Sequence, residues 1–337
     1  MSESIAEVAD NQPVDAGGFA LAEVMAAAQP RVLRGLCRDW PLVQAARRSA
    51  SAFAQALAAL DTGTPVDVLH MPPEARGVVG YNVDIDGFNY RHFKVSVTEA
   101  LQRLAAYSRV DGPVPGLALQ SALIAESLPA FTDTHAMACL PASVRPRLWV
   151  GNQVTTPAHF DASHNLAVVV CGRRRFTLFP IEQVANLYIG PLDFAPTGAA
   201  ITMARPDAPD FERFPRLREA LDHARVIELE PGDALYLPPL WWHQVESLES
   251  LNSLVNYGWM PAQVAARPPP LGALLHARLA FAALPPSERR DWQALFDHYV
   301  FGDGDVAAHI PEDRRGVLGE LDAAALAKLR ERIKAGL

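Results

Sequence analysis

The chain has 337 residues, of which 50% are hydrophobic and 20% charged, a balance that supports a substantial core and excludes a disordered or low-complexity chain. That length suits one large domain or two ordinary ones. The formal net charge of −8 disfavours a nucleic-acid partner, because general nucleic-acid binders carry a basic face.

The first fifteen residues are acidic and polar, with no basic stretch leading into an apolar run, so no signal peptide is expected there. Residues 20–28 read as a short helix ended by Pro30, residues 31–36 as a strand, and residues 52–60 as an alanine-rich helix. Residues 78–95 carry aromatic and β-branched side chains on both sides of Asp86-Gly87, which predicts a hairpin. Residues 97–107 place Ala100, Leu101, Leu104 and Ala105 at helical spacing.

From Pro146 the texture changes to short β-rich runs: 148–154, 165–171, 175–179, 226–229, 234–237, 241–246 and 253–259. Gly172, Pro180 and Pro231-Gly232-Asp233 punctuate them. Many short strands with few intervening helices predict a mainly β protein, an antiparallel barrel or jelly roll with flanking helices. Residues 190–223 are too many for a hairpin loop and are expected to drape over one mouth of the barrel, with a helix at 217–224. After Met260 the pattern is helical at 271–283, 286–299 and 322–335, beyond Pro268-Pro269-Pro270. The expected division is residues 1–262, with an α/β elaboration to about 145 and the jelly-roll core from about 146, followed by a helical region at 263–337. No stretch is long and apolar enough to span a membrane. Three widely spaced cysteines, Cys37, Cys139 and Cys171, form no CxxC pair and fit a reducing, cytoplasmic setting.

No GxGxxG, Walker-A loop, GxSxG elbow or HExxH motif occurs. What remains is His159-Phe160-Asp161, whose first and third residues face the same way on an extended segment and can share one ion. The plain alternative is a surface His and Asp at a strand end. His243 follows in a Trp241-Trp242-His243 run, where the competing role is a half-buried histidine satisfied by a carbonyl. Together, two imidazoles and one carboxylate make the facial set of non-haem Fe(II) oxygenases. Arg173 to Arg175, taken alone, would be a solvated basic strand.

The ordered series changes that weighting. Thr155 to Asp161 (TTPAHFD), Asn165, Gly172 to Pro180 (GRRRFTLFP), Pro231-Gly232-Asp233, Trp241-Trp242-His243 and Leu254-Val255-Asn256 resemble the cupin-type JmjC dioxygenases, whose fold is a double-stranded β-helix. The resemblance is strong over residues 149–259 and faint upstream. It implies Fe(II) and the cosubstrate 2-oxoglutarate, with His159, Asp161 and His243 as metal ligands. It further implies that Thr156 and a basic residue hold the distal carboxylate of 2-oxoglutarate, that Asn165 and Asn256 line the same pocket, and that Gln120 meets substrate. Counting from the HxD motif, the basic position falls on Arg174, where the family usually has lysine. Ala118 stands where the family supplies a tyrosine hydroxyl.

The implied reaction is hydroxylation of a C–H bond in a peptide or protein side chain or a small molecule. Two other classes stay open: a non-catalytic metal cupin that binds a sugar or amino acid, and a zinc-type cupin isomerase or hydrolase. Asparaginyl hydroxylases in the family pair through C-terminal helices. The last helix here gathers Leu326, Leu329 and Ile333 on one face; such a helix can pack back on its own domain, but with the resemblance a homodimer through residues 285–337 is expected.

Overall fold

Alternation of side chains across the strands sets the layers. The computed structural model describes residues 21–265, 267 and 269–335; the readings that touch residues 1–20, Pro268 and the last two residues lie outside them. Among the described residues the strands are β1 (Arg31–Leu33), β2 (Val66–Met71), β3 (Arg91–Val95), β4 (Gly116–Leu123), β5 (Pro146–Gly151), β6 (Thr155–His159), β7 (His164–Cys171), β8 (Arg174–Phe179), β9 (Arg225–Leu229), β10 (Ala234–Leu237), β11 (Trp242–Ser247) and β12 (Asn252–Trp259). They pair antiparallel into an eight-stranded sheet, β1-β10-β7-β12-β5-β4-β2-β3, and a four-stranded sheet, β6-β11-β8-β9. This is a jelly roll.

Strand β7 shows why the sheets face each other. Its Leu166, Val168 and Val170 pack on one side with helix residues Leu42, Phe53, Leu57 and Leu101. Its Ala167 and Val169 pack on the other with Phe176, Leu178, Ile227 and Leu229 of the smaller sheet. A strand covered on both faces reads as an unbroken apolar run, as residues 165–171 do. Burying a leucine or phenylalanine here contributes roughly 2 kcal/mol.

Several expected elements shift. The helix at Val97–Tyr107 is as expected, opened by a Ser96/Glu99 capping box, but Ala105 is exposed while Val97 joins the buried face. The first strand stops at Leu33 because residues 34–39 turn. The hairpin expected over 78–95 is not built. Tyr81 and Phe88 make a single bridge around a tight loop, and the strand Arg91–Val95 pairs instead with β2. The expected run 148–154 ends at Gly151, and the helix Pro41–Arg48 and strands β2, β4 and β6 are additional.

The insertion 190–223 carries its helix at Leu217–Asp222. Leu217 and Ala220 pack on Ala158, Phe179 and Trp242, the outward residues of the small sheet, so this helix covers a sheet face rather than a barrel mouth. Elsewhere in the insertion, Phe194 stacks on Phe88 at 4.8 Å.

The chain divides into two compact units, Met1–Pro261 and Ala262–Leu337. The second unit contains helices Ala262–Ala265, Pro270–Phe281, Pro286–Tyr299 and Ala323–Ala335. Within it Phe281 stacks on Trp292 at 5.3 Å and meets Phe296 edge-on at 5.6 Å.

Candidate active site

Strands β6 and β11 lie side by side with His159 opposite His243 and Thr156 opposite Val245. Three residues on β6 therefore span what two span on β11, so β6 carries one extra residue, a β-bulge. Strict alternation would send Thr156, three residues before His159, to the opposite face. The bulge returns it to the interior with Val245. The His159 and His243 rings stand 4.3 Å apart between centroids.

Each imidazole is oriented from behind. His159 Nδ1 lies 2.9 Å from the Pro157 carbonyl oxygen, and His243 Nδ1 lies 2.9 Å from that of Trp241. A carbonyl only accepts, so each Nδ1 carries the proton and each Nε2 presents a lone pair. His243 is buried. That burial, with His159 beside it, holds its pKa well below the usual histidine value, which favours the neutral, ligating form. Asp161 follows β6, with Oδ2 3.8 Å from His243 Nε2 and accepting a hydrogen bond from Asn165 Nδ2 at 3.1 Å.

Among the described residues, no three His, Cys, Asp or Glu side chains stand as a finished ion cage. The triad is close, with both imidazoles oriented by backbone carbonyls, but not closed around a point. Its donor set of two imidazole nitrogens and one carboxylate nevertheless suits Fe(II), and suits Zn(II) equally.

The second part of the site is a cavity of about 310 Å³, its open mouth included, whose walls include Ala118 and Gln120 of β4, Trp149 of β5, Thr156 of β6, Arg174 of β8 and Ser247 of β11. Gly172, at φ +70°, makes the turn into β8; a side chain there would meet Asn252 Oδ1 at 2.5 Å. From that turn Arg174 points inward in the row of Phe176 and Leu178. Arg173 and Arg175 point out and pair with Glu228, Glu246 and Glu249.

Arg174 is only 8% exposed, and its Nε is buried with no hydrogen-bond partner. It makes no ion pair among the described residues. Burial lowers its pKa to about 10, which is the signature of a cation desolvated without an anion. The triad does not line this cavity. Ser247, which pairs with Arg174, lies four residues along β11 from His243, about 13 Å at strand rise.

The expected residues Thr156, Arg174 and Gln120 thus share one cavity, with Ala118 beside them. Asn165 and Asn256 are not among its walls. They are hydrogen-bonded to each other and reach Asp161 at one end and Trp149 at the other. Trp149 and Ser247 were not anticipated; the signal for them is the i, i+2 partnership of Trp149 with Gly151 and of Ser247 with Val245, which becomes usable only once register is known. Of the aromatic and polar residues upstream, Tyr81 donates to the Phe194 carbonyl at 2.7 Å, Asn82 accepts from Asp86 and Gly87 N–H groups, and Tyr90 stacks on Phe88. Trp259 stacks on His164.

Two antiparallel sheets closing over a His-x-Asp pair and a later histidine define the cupin class. The chain belongs to the cupin-like domain family, whose model matches residues 17–263. It is similar to HSPB1-associated protein 1 of Homo sapiens, 36% identical over 111 residues that cover 32% of this chain and 22% of that one. Lysine-specific demethylase JMJ31 of Arabidopsis thaliana is 28% identical over 142 residues, 42% of this chain and 24% of the relative. Jumonji C domain-containing protein 5 of Drosophila melanogaster is 34% identical over 120 residues, 35% and 28% of the two chains. The matched stretches thus span about a quarter of these relatives' length. The crystal structure of E. coli ycfD overlays with a TM-score of 0.43 at 16% identity, covering 94% of this chain and 67% of that one.

Proposed function

We propose that this protein is an Fe(II)- and 2-oxoglutarate-dependent oxygenase that hydroxylates a C–H bond. The observation that carries the reading is Arg174, a buried cation with no anion among the described residues, facing a cavity whose walls include Thr156 and Val245 of the same two strands that carry His159 and His243. A buried guanidinium is stable only when paired, and its planar fork suits a carboxylate. Arg174 and Thr156 would hold the distal carboxylate of 2-oxoglutarate, and His159, Asp161 and His243 would hold the iron. When bound, the iron supplies oxygen activation and C–H oxidation. The chain's own residues fix the Nε2 lone pairs, would neutralise the cosubstrate's far charge, and line the cavity with apolar Val150, Val154 and Val245. Arg174 has two edges that can donate, which compensates for the missing tyrosine hydroxyl at Ala118.

The relatives' names refer to proteins and to a lysine-specific demethylase, which inclines the substrate toward a peptide or protein side chain over a small molecule; Gln120 lies on the cavity wall where substrate contact is expected. The test is succinate release under air with Fe(II), ascorbate and 2-oxoglutarate, lost in His159→Ala. Absence of both turnover and 2-oxoglutarate binding in the wild type rejects the reading. The alanine at the family's tyrosine position keeps one competitor open, a cupin that binds metal and a sugar or amino acid without turnover. Metal analysis separates the classes: iron with a visible band on anaerobic addition of 2-oxoglutarate supports the oxygenase, and tightly held zinc without a band supports a zinc-type cupin isomerase or hydrolase.

Two broader features belong to the same proposal. All three cysteines are free, in keeping with a cytoplasmic protein. Leu279, Trp292, Leu295 and Phe301 of the C-terminal unit are exposed, in keeping with a homodimer through that unit. No helix among the described residues is long and apolar enough to cross a membrane.

A further inference from the structure

Three hydrogen bonds run in one direction from the cavity wall to Asp161. Trp149 Nε1 donates to Asn256 Oδ1 at 2.8 Å, Asn256 Nδ2 donates to Asn165 Oδ1 at 3.4 Å, and Asn165 Nδ2 donates to Asp161 Oδ2 at 3.1 Å. The three donors sit on neighbouring strands β5, β12 and β7. The direction is dictated at both ends: an indole N–H only donates, and a carboxylate only accepts. Two amides between them have a single arrangement in which every link is made, with each oxygen turned toward Trp149 and each nitrogen toward Asp161. Trp149 is also a wall of the cavity that contains Arg174 and Thr156.

We propose that Trp149 is a positioning residue for Asp161, acting through Asn256 and Asn165, so that the wall of the carboxylate cavity and the metal-ligand carboxylate are one mechanical unit. This rests on the reading above that Asp161 is a metal ligand. Without the indole N–H, nothing holds the Asn256 oxygen outward. The amide is then free to turn its oxygen toward Asn165, which breaks the middle link and releases the last. Bonds in such a series also polarise one another, so losing the first weakens the others. Partners behind a metal ligand typically change metal affinity 10- to 100-fold, and a residue three bonds back falls at the lower end.

The experiment titrates the metal-depleted full-length protein with Co(II) and reads the d–d absorption of the bound ion. The variants are Trp149→Phe, Asn256→Ala and the double mutant, with thermal unfolding recorded for each to establish that it is folded. Each single substitution is expected to weaken Co(II) binding about tenfold and to alter the band, and the double to be no weaker than the weaker single. Wild-type affinity and an unaltered band in either folded single variant overturn the proposal, as do effects that multiply in the double. A wild type that binds no Co(II) overturns the oxygenase reading and this proposal with it, a result distinct from metal binding that ignores Trp149.

Discussion

Arg174 is the residue at which stability and function oppose each other. Its pKa, lowered to about 10 by burial, corresponds to about 3 kcal/mol of disfavoured ionisation in the ligand-free fold. Arg174→Met keeps the stem's packing and removes the unpaired charge, so the ligand-free protein is expected to unfold several degrees higher. The same substitution is expected to weaken 2-oxoglutarate binding at least ~30-fold, because a buried charged hydrogen bond to the cosubstrate is worth 2 kcal/mol or more. Differential scanning and calorimetric titration on one preparation check both; a lower unfolding temperature together with unchanged binding would make Arg174 a structural residue. Its inward direction was legible in the sequence, since alternation from Gly172 separates it from Arg173 and Arg175. Its solitude was not, because whether an acidic residue faces it depends on strands β4, β5 and β11, far away in the chain.

At the scale of elements, capping and register matter more than propensity. The helix Pro41–Arg48 has no side-chain cap from its own N-cap residue, Trp40. Instead buried His135 accepts the Leu42 N–H on Nε2 at 3.2 Å, while its Nδ1 lies 3.0 Å from the Phe131 carbonyl oxygen. Burial lowers the pKa of His135 below its ordinary value of 6.5, against the opposing effect of the Phe131 carbonyl. An imidazolium cannot accept that bond and would set a positive charge at a helix N-terminus. The unfolded chain therefore binds this proton more readily than the folded one. The stabilisation is fully present above pH ~6.5 and is lost as the pH falls below it. Urea unfolding at pH 7.5 and 5.5 is expected to show a larger loss for the wild type than for His135→Gln; equal losses reject the cap. Ser96→Ala, which removes the capping box of Val97–Tyr107, is expected to cost about 1 kcal/mol by the same measurement at pH 7.5. One additional strand shows why propensity misleads. Strand β4 (GLALQSAL) is built of alanine and leucine, residues that favour helices, and is a strand because both faces are covered and both neighbours supply hydrogen bonds.

For the whole molecule, the two units differ in how they use apolar residues. The first buries its large side chains around and between two sheets. The second leaves Leu279 78% and Phe301 71% exposed, and its three longest helices contain no buried residue. On the homodimer proposed above, a second copy presenting the same surface would cover it. Light scattering of the full chain at micromolar concentration is expected to give a dimer, and Leu279→Asp with Leu295→Asp a monomer. A monomeric wild type rules the dimer out.

Local chemistry was enough to read the strand sequence from β7 to β12 and the helices Val97–Tyr107 and Pro286–Tyr299, whereas the grouping of His159, Asp161, Arg174 and His243 into one site came from the family resemblance. Those elements depend on period, turn residues and side-chain type, which neighbours along the chain decide. Three things were settled only by tertiary structure: the β6 bulge that turns Thr156 inward, the lack of a counter-ion for Arg174 among the described residues, and the amide chain from Trp149 to Asp161. Each depends on which strands lie side by side and in what register. Register is fixed by burial summed over two sheets, a quantity that no segment carries by itself.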